Sequence, residues 1–183
     1  MRERIPVWMS RGTYVGIGEP DFDGLLRIAS DSTPIELGPL QVIPFTVPHD
    51  AREPLQLTCS DGAARLGVLT DLGHATTHVL DHLSGCAAMV LECNHDPQML
   101  ADSVYPPFLK RRVGGAWGHL ANEAAAAIAQ AIRPHGLKRV LAAHLSQQNN
   151  KPELAQAALA GALGDQVDIH IADAPTGSGW LVA

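Results

Sequence analysis

The sequence predicts a layered α/β domain on a mixed sheet, and three observations carry that expectation. The first half runs as short apolar stretches broken by Gly, Pro and Asp, while the second half alternates strand-like runs with helical ones. No Gly-x-Gly-x-x-Gly or Walker loop follows any strand, which sets aside a doubly wound nucleotide fold. At 183 residues the chain suits one domain, 1–183, with no internal repeat or low-complexity linker.

The elements follow in order. Ile5 to Met9 reads as a short strand stopped by Ser10-Arg11-Gly12-Thr13, with a loop to Gly24. Leu25 to Ala29 and Leu40 to Val47 read as strands separated by Pro34 and Gly38-Pro39. Asp61-Gly62 between Leu55–Cys59 and Ala64–Thr70 signals a hairpin. Thr76 to Leu83 is a short helix capped by Thr76 or Thr77 and closed by Gly85. Cys86 to Cys93 is continuously apolar enough for a strand buried on both faces. Helices are predicted at Pro97–Ser103, Pro107–Arg112, His119–Arg133 and Pro152–Leu163, the last with Pro in its first turn. Strands are predicted at Lys138–Ala143, Val167–Ile171 and Gly179–Val182.

A formal charge of -6 and a pI near 5.8 exclude a broad basic grip on duplex nucleic acid, so any phosphate must be held locally. Lys110-Arg111-Arg112 and Lys138-Arg139 are the local basic clusters. Three cysteines without Cys-x-x-Cys spacing, Cys59, Cys86 and Cys93, read as buried thiols of a reduced cytoplasm. The N-terminus has no signal-peptide core, and no run is long enough to span a membrane.

Four segments place an ionisable residue where an element ends or begins: Pro48-His49-Asp50, Thr70-Asp71-Leu72-Gly73, Gly118-His119-Leu120-Ala121-Asn122 and Ala143-His144-Leu145-Ser146. Side chains at strand ends converge on one sheet edge, and imidazoles with a carboxylate are the ligands of hydrolytic metal sites. His74, His78 and His82, at i, i+4 and i+8, form a competing set, but without the acidic helper of His-Glu-x-x-His they read as an exposed helix face.

Together with Leu91-Glu92-Cys93-Asn94-His95-Asp96, Met99-Leu100, Tyr105-Pro106, Leu109-Lys110-Arg111-Arg112 and Asn149-Asn150, these segments resemble the metallo-β-lactamase superfamily. They are most similar to its phosphodiesterase and nuclease branch, which includes ribonuclease Z and the YycJ/WalJ-type exonucleases. The resemblance implies an αββα sandwich and a hydrolase with two divalent ions, zinc or manganese, acting on a phosphodiester such as a nucleic acid end. It implies that His49, Asp71 and His144 are metal ligands, Asp71 as the bridge. It also implies that His119 faces the scissile phosphate as general acid without joining the cage. His95, Asp96, Asn122, Ser146 and Asn149 are expected to support the site or touch substrate.

One family element is missing. No His-x-His-x-Asp-His string occurs among the nine histidines, so the fold is expected to be N-terminally incomplete, with half the metal ligands absent. The isolated chain is then expected to bind metal weakly and to show no phosphodiesterase turnover. The alternatives are a thioester or lactam hydrolase of the same superfamily, and a degenerate, non-catalytic binding domain.

Overall fold

The computed structural model describes residues 3–173 and 175–182. Strand β1 (Val7–Met9) pairs in parallel with β2 (Leu26–Ile28) as a small separate sheet. Between them, residues read from sequence as a stop and a loop start a helix, α1 (Arg11–Gly16). The cause is local: Ser10 is its N-cap, and the Ser10 side chain accepts from the Thr13 N–H.

The larger sheet has seven strands in sequence order. Three hairpins join β3 (Ile35–Leu37), β4 (Leu40–Thr46), β5 (Leu55–Ser60) and β6 (Arg65–Leu69) in antiparallel fashion. Strand β3 was missed in the sequence because Pro34 and Gly38-Pro39 read as a separator. Gly38-Pro39 is the two-residue loop of a hairpin, with Gly38 at φ +63°. The Asp61-Gly62 hairpin forms as expected, with Asp61 Oδ1 accepting from the Ala63 and Ala64 N–H groups, both at 2.9 Å.

From β6 onward the pairing is parallel: β7 (Ala88–Glu92), β8 (Arg139–Ala143) and β9 (Asp168–Ile171) follow in that order. Parallel neighbours need crossovers, and helices supply them. These are α2 (Thr77–Leu83) before β7, then α3 (Pro97–Asp102), α4 (Pro107–Val113) and α5 (Asn122–Ile132) before β8, and α6 (Pro152–Leu163) before β9. Phe45, Leu69, Val79, Leu83, Met89, Leu91, Ala125, Ala129, Ile132, Val140, Leu159 and Leu163 form the core shared by the sheet, α2, α5 and α6.

Two boundaries depart from the sequence reading. Helix α5 begins at Asn122, with Ala121 as its N-cap, so His119 lies in the loop before it and does not open it. Gly179–Val182 forms no strand; Gly179, Leu181 and Val182 instead line a cavity of about 180 Å³ together with Leu66, Val90 and Leu141 of the sheet. Among the described residues no helix is long and apolar enough to cross a membrane.

Candidate metal centre

Register places the site. Leu69 pairs with Leu91, Leu91 with Ala142, and Glu92 with Ala143, so β6, β7 and β8 run out side by side. Asp71 stands two residues past β6, Glu92 is the last residue of β7, and His144 is the first past β8. Open α/β sheets bind their ligands at such carboxyl ends.

Glu92 is the centre of the arrangement, fully buried at 0% side-chain exposure. Its Oε1 accepts from His119 Nδ1 at 2.8 Å and from His144 Nδ1 at 2.7 Å. Its Oε2 accepts from the Leu72 and Leu120 N–H groups, each at 3.3 Å. Burial alone would raise its pKa, but the hydrogen bonds from His119 and His144 outweigh it and hold the carboxyl at about 2. The same contact with Glu92 raises the pKa of His144 against the opposing effect of burial.

A carboxylate has about four acceptor positions, and four donors fill those of Glu92. Although Asp71, Glu92, His119 and His144 bring ligand atoms within 4.8 Å of one another, Glu92 is therefore better suited to orient imidazoles than to hold an ion. Because a carboxylate only accepts, both Nδ1 atoms must carry the proton. No hydrogen bond among the described residues uses Nε2 of His119 or His144. Each ring thus keeps the nitrogen a metal requires.

Asp71 completes the group. Its Oδ2 accepts from Thr70 Oγ1 at 3.0 Å, while Oδ1 lies 3.9 Å from His119 Nδ1 and 3.8 Å from His144 Nδ1. The side chain is 42% exposed, so one oxygen remains open to a cation. Asp71 and His144 both sit at positive φ, +55° and +58°. Non-glycine residues in this region cost about 1–3 kcal/mol each, and such strain gathers at functional sites.

His49 stands beside the group. Its ring lies 5.2 Å from that of His119, its Nδ1 donates to the Gly118 carbonyl at 3.0 Å, and its Nε2 is 3.6 Å from Asp50 Oδ1. The fixed tautomer is the same as in the other two rings. The structure thus brings Asp71, His119 and His144 into one cluster and leaves His49 next to it. The sequence reading had His49 inside the cage and His119 outside.

Two glycines let the loops approach this closely. A Cβ on Gly73 would stand 2.2 Å from the Ala116 carbonyl carbon, and one on Gly118 would stand 2.1 Å from the Arg112 carbonyl oxygen. Gly118→Ala is therefore expected to displace the loop carrying His119, weakening metal binding while the distant core persists. Metal titration alongside urea unfolding checks this.

The supporting residues behave less uniformly. Asp96 is the N-cap of α3, accepting from the Met99 N–H, so its role is structural. Asn122 and Asn150 exchange hydrogen bonds at 2.9 Å, and Asn150 also donates to the Cys93 carbonyl, so the amides of this buried pair are committed to each other and to the backbone. Asn149 is buried and its carbonyl receives the Asp96 N–H, while Ser146 Oγ accepts from the Asn149 N–H. His95 is buried with Nδ1 unpartnered, and burial lowers its pKa. Ser146 and His144 share the wall of an open cleft of about 530 Å³.

Glu92 was not singled out from the sequence, and a signal existed. An acid ending an apolar strand between Leu91 and Cys93 must be paired, and nearby histidines are the natural partners.

No family model matches the chain. It is 34% identical over 143 residues to the exodeoxyribonuclease YycJ of Bacillus anthracis, covering 74% of this chain and 54% of that protein. It is 28% identical over 163 residues to the exodeoxyribonuclease WalJ of Streptococcus pneumoniae, covering 89% of this chain and 59% of that one. The chain thus spans a little over half the length of the curated relatives it matches. Among solved structures it is similar to the metallo-β-lactamase fold protein YhfI of Bacillus subtilis, with a TM-score of 0.71 at 15% identity over 96% of this chain and 63% of that one. Zn²⁺-bound PqqB of Methylobacterium extorquens follows with a TM-score of 0.61 at 16% identity, over 92% of this chain and 64% of that one. A diphosphatase of the PhnP family gives 0.60 at 15% identity, over 91% and 55%. By its structural neighbours this chain has the metallo-β-lactamase fold, and the sequence relatives it is similar to are exodeoxyribonucleases.

Proposed function

We propose that the chain provides the metal-binding and proton-transfer side of a metal-dependent phosphodiesterase acting on nucleic acid ends, with two divalent ions, zinc or manganese. The carrying observation is that His49, His119 and His144 each have Nδ1 tied to an acceptor, with His119 and His144 beside an open oxygen of Asp71 and His49 against the His119 ring. That donor set fits hard-to-borderline divalent ions, which when bound supply Lewis-acid charge at a phosphoryl group. Asp71 offers the carboxylate, and His49 and His144 offer Nε2. Glu92 positions His119 and His144 and stays ionised beside them, so a His119 ring that has taken up a second proton at Nε2 can give that proton to the leaving oxygen and return to the neutral Nδ1–H form.

The surroundings suit a phosphate. His49, Asp50, Leu109, Arg112, Val113, Gly118 and His119 line a cavity of about 200 Å³, with Arg112 paired to Asp50 at its wall. Phe108 and Trp117, 65% and 61% exposed, adjoin the lining residues Leu109 and Gly118. Exposed rings beside a phosphate site suit unpaired bases, whose stacking is worth about 1–3 kcal/mol each. Cys86 and Cys93 are buried, which raises their thiol pKa values to about 11 and 12, and all three cysteines are free, in keeping with a reducing cytoplasm.

The test is binding of a 5′-phosphorylated single-stranded oligonucleotide, followed by fluorescence anisotropy with and without Mn²⁺. Mn²⁺ should strengthen binding in the unaltered chain, and Asp71→Asn or His144→Gln should remove that increment. Binding that ignores both Mn²⁺ and the two substitutions would overturn the assignment.

A further inference from the structure

The histidines at 74, 78 and 82 do not act as one helix face. His74 Nδ1 donates to the Ala116 carbonyl at 2.8 Å, next to the loops of the cleft. His78 and His82, one turn apart on α2, turn instead toward the segment that precedes β3. There His78 Nε2 lies 2.8 Å from Asp31 Oδ1, and His82 Nε2 lies 3.1 Å from Ser32 Oγ. The acidic helper absent from the helix is thus delivered by a residue 47 positions away.

We propose that Asp31, His78 and His82 form a second cation site, sharing no residue with the Asp71–Glu92–His119–His144 group, that takes Zn²⁺. One ligand atom from each of the three residues lies within 4.8 Å of the others. Each is held by its own support. Asp31 Oδ1 accepts from the Thr46 N–H at 2.7 Å and from Thr46 Oγ1 at 2.9 Å, while Oδ2 accepts from Ser32 Oγ at 3.0 Å. The His82 ring stacks on Phe45 of β4, centroids 5.0 Å apart and planes 11° from parallel, and the His78 ring meets it edge-on at 4.6 Å.

The chemistry matches zinc. Two imidazoles and one carboxylate are a common three-ligand set that leaves a fourth position for water. Zinc–ligand bonds of about 2.0–2.2 Å put tetrahedral ligand atoms roughly 3.3–3.6 Å apart, so the His78–Asp31 pair at 2.8 Å must open by about 0.6 Å, while the other ligand atoms already lie within 4.8 Å. The ion takes the place of the Nε2 protons, which move to Nδ1 or to solvent. Asp31 accepts as many bonds as Glu92, but its side chain is 41% exposed where that of Glu92 is 0%, and one of its donors is the His78 N–H whose proton the ion replaces. A bound ion would tie the segment before β3 to α2, the helix that follows the Asp71 loop.

The experiment uses the metal-stripped chain in the Asp71→Asn background, so that the cleft does not contribute. Calorimetric titration with Zn²⁺ should show uptake of one ion per chain, lost when His78→Gln and His82→Gln are added. Equal uptake with and without those two histidines would overturn the proposal. A readout on the unaltered chain needs no variant to fold. Diethylpyrocarbonate modification of His78 and His82, read by peptide mass, should be blocked by Zn²⁺, and full reactivity at saturating Zn²⁺ would equally overturn it.

Discussion

Glu92→Gln is expected to cost about 2–5 kcal/mol of folding stability, the range for breaking one partner of a buried charged network. The carboxylate accepts four hydrogen bonds in a fully buried position. An amide has one accepting atom, so its NH₂ would face either the Leu72 and Leu120 N–H groups or the two imidazoles, donor against donor. Urea unfolding of the two proteins at neutral pH measures the loss. A variant as stable as the parent would show that these four bonds do not hold the cleft together.

The same residue sets the acid limb of stability. The Glu92 carboxyl falls from an ordinary 4.5 to about 2 on folding, which corresponds to about 3 kcal/mol. A depressed carboxylate stabilises fully above its unfolded value, and the contribution is lost as pH falls from about 4.5 through about 2. His144 shifts the other way. Its raised pKa stabilises the fold below its ordinary value of 6.5 and fades as pH climbs through the folded value. Both contributions are complete between about pH 4.5 and 6.5, so unfolding free energy should peak there, and Glu92→Gln should flatten the acid side.

Asp71→Asn should behave in the opposite way, with a large loss of binding and little loss of stability. Asn tolerates the left-handed backbone that Asp71 adopts at φ +55°, and the side chain is 42% exposed, so folding should change by under about 1 kcal/mol. Losing the charge should reduce Mn²⁺ or Zn²⁺ affinity at the cleft by at least about 10–100-fold, the usual effect of disturbing even an indirect metal partner. Titration in a chain also lacking His78 and His82 isolates the cleft. Unchanged affinity there would remove Asp71 from the ligand set.

Much of the parallel half was legible in the sequence because β7 and β8 are mainly apolar runs and α2, α3, α4 and α6 begin at a capping threonine or a proline, whereas α5 has neither and its start was misplaced. Pro152 opens α6 where expected, and Thr76 caps α2 through the Val79 N–H. The antiparallel half was harder. Strand β3 is three residues long, too short for alternation to show, and α1 has no buried residue to create a period.

In the site, Asp71 and His144 were readable because strand ends carried them there. The place of His119 was not, since it depends on the Leu120 carbonyl receiving the Asn94 N–H and on the Val113 carbonyl receiving its own N–H, contacts without a local pattern. Asp31 was invisible for the same reason: its partners are 15 and 47 residues away. Whether Asn122 and Asn149 support the loops or touch substrate was open in the sequence, because polarity is visible there and their burial is not.

The tautomers of His119 and His144 test the central claim most directly: that a buried carboxylate holds the Nδ1 proton of both rings and so leaves Nε2 free, for a cation at His144 and for proton uptake and release at His119. Long-range ¹H–¹⁵N correlation spectra of the metal-stripped, ¹⁵N-histidine-labelled chain above pH 7 report which nitrogen carries the proton, with assignments from His119→Gln and His144→Gln. The expected result is protonated Nδ1 and bare Nε2 in both rings, with the His144 Nε2 resonance moving on addition of Zn²⁺. Protonated Nε2 in either ring, or a His144 Nε2 signal unmoved by saturating Zn²⁺, would contradict it.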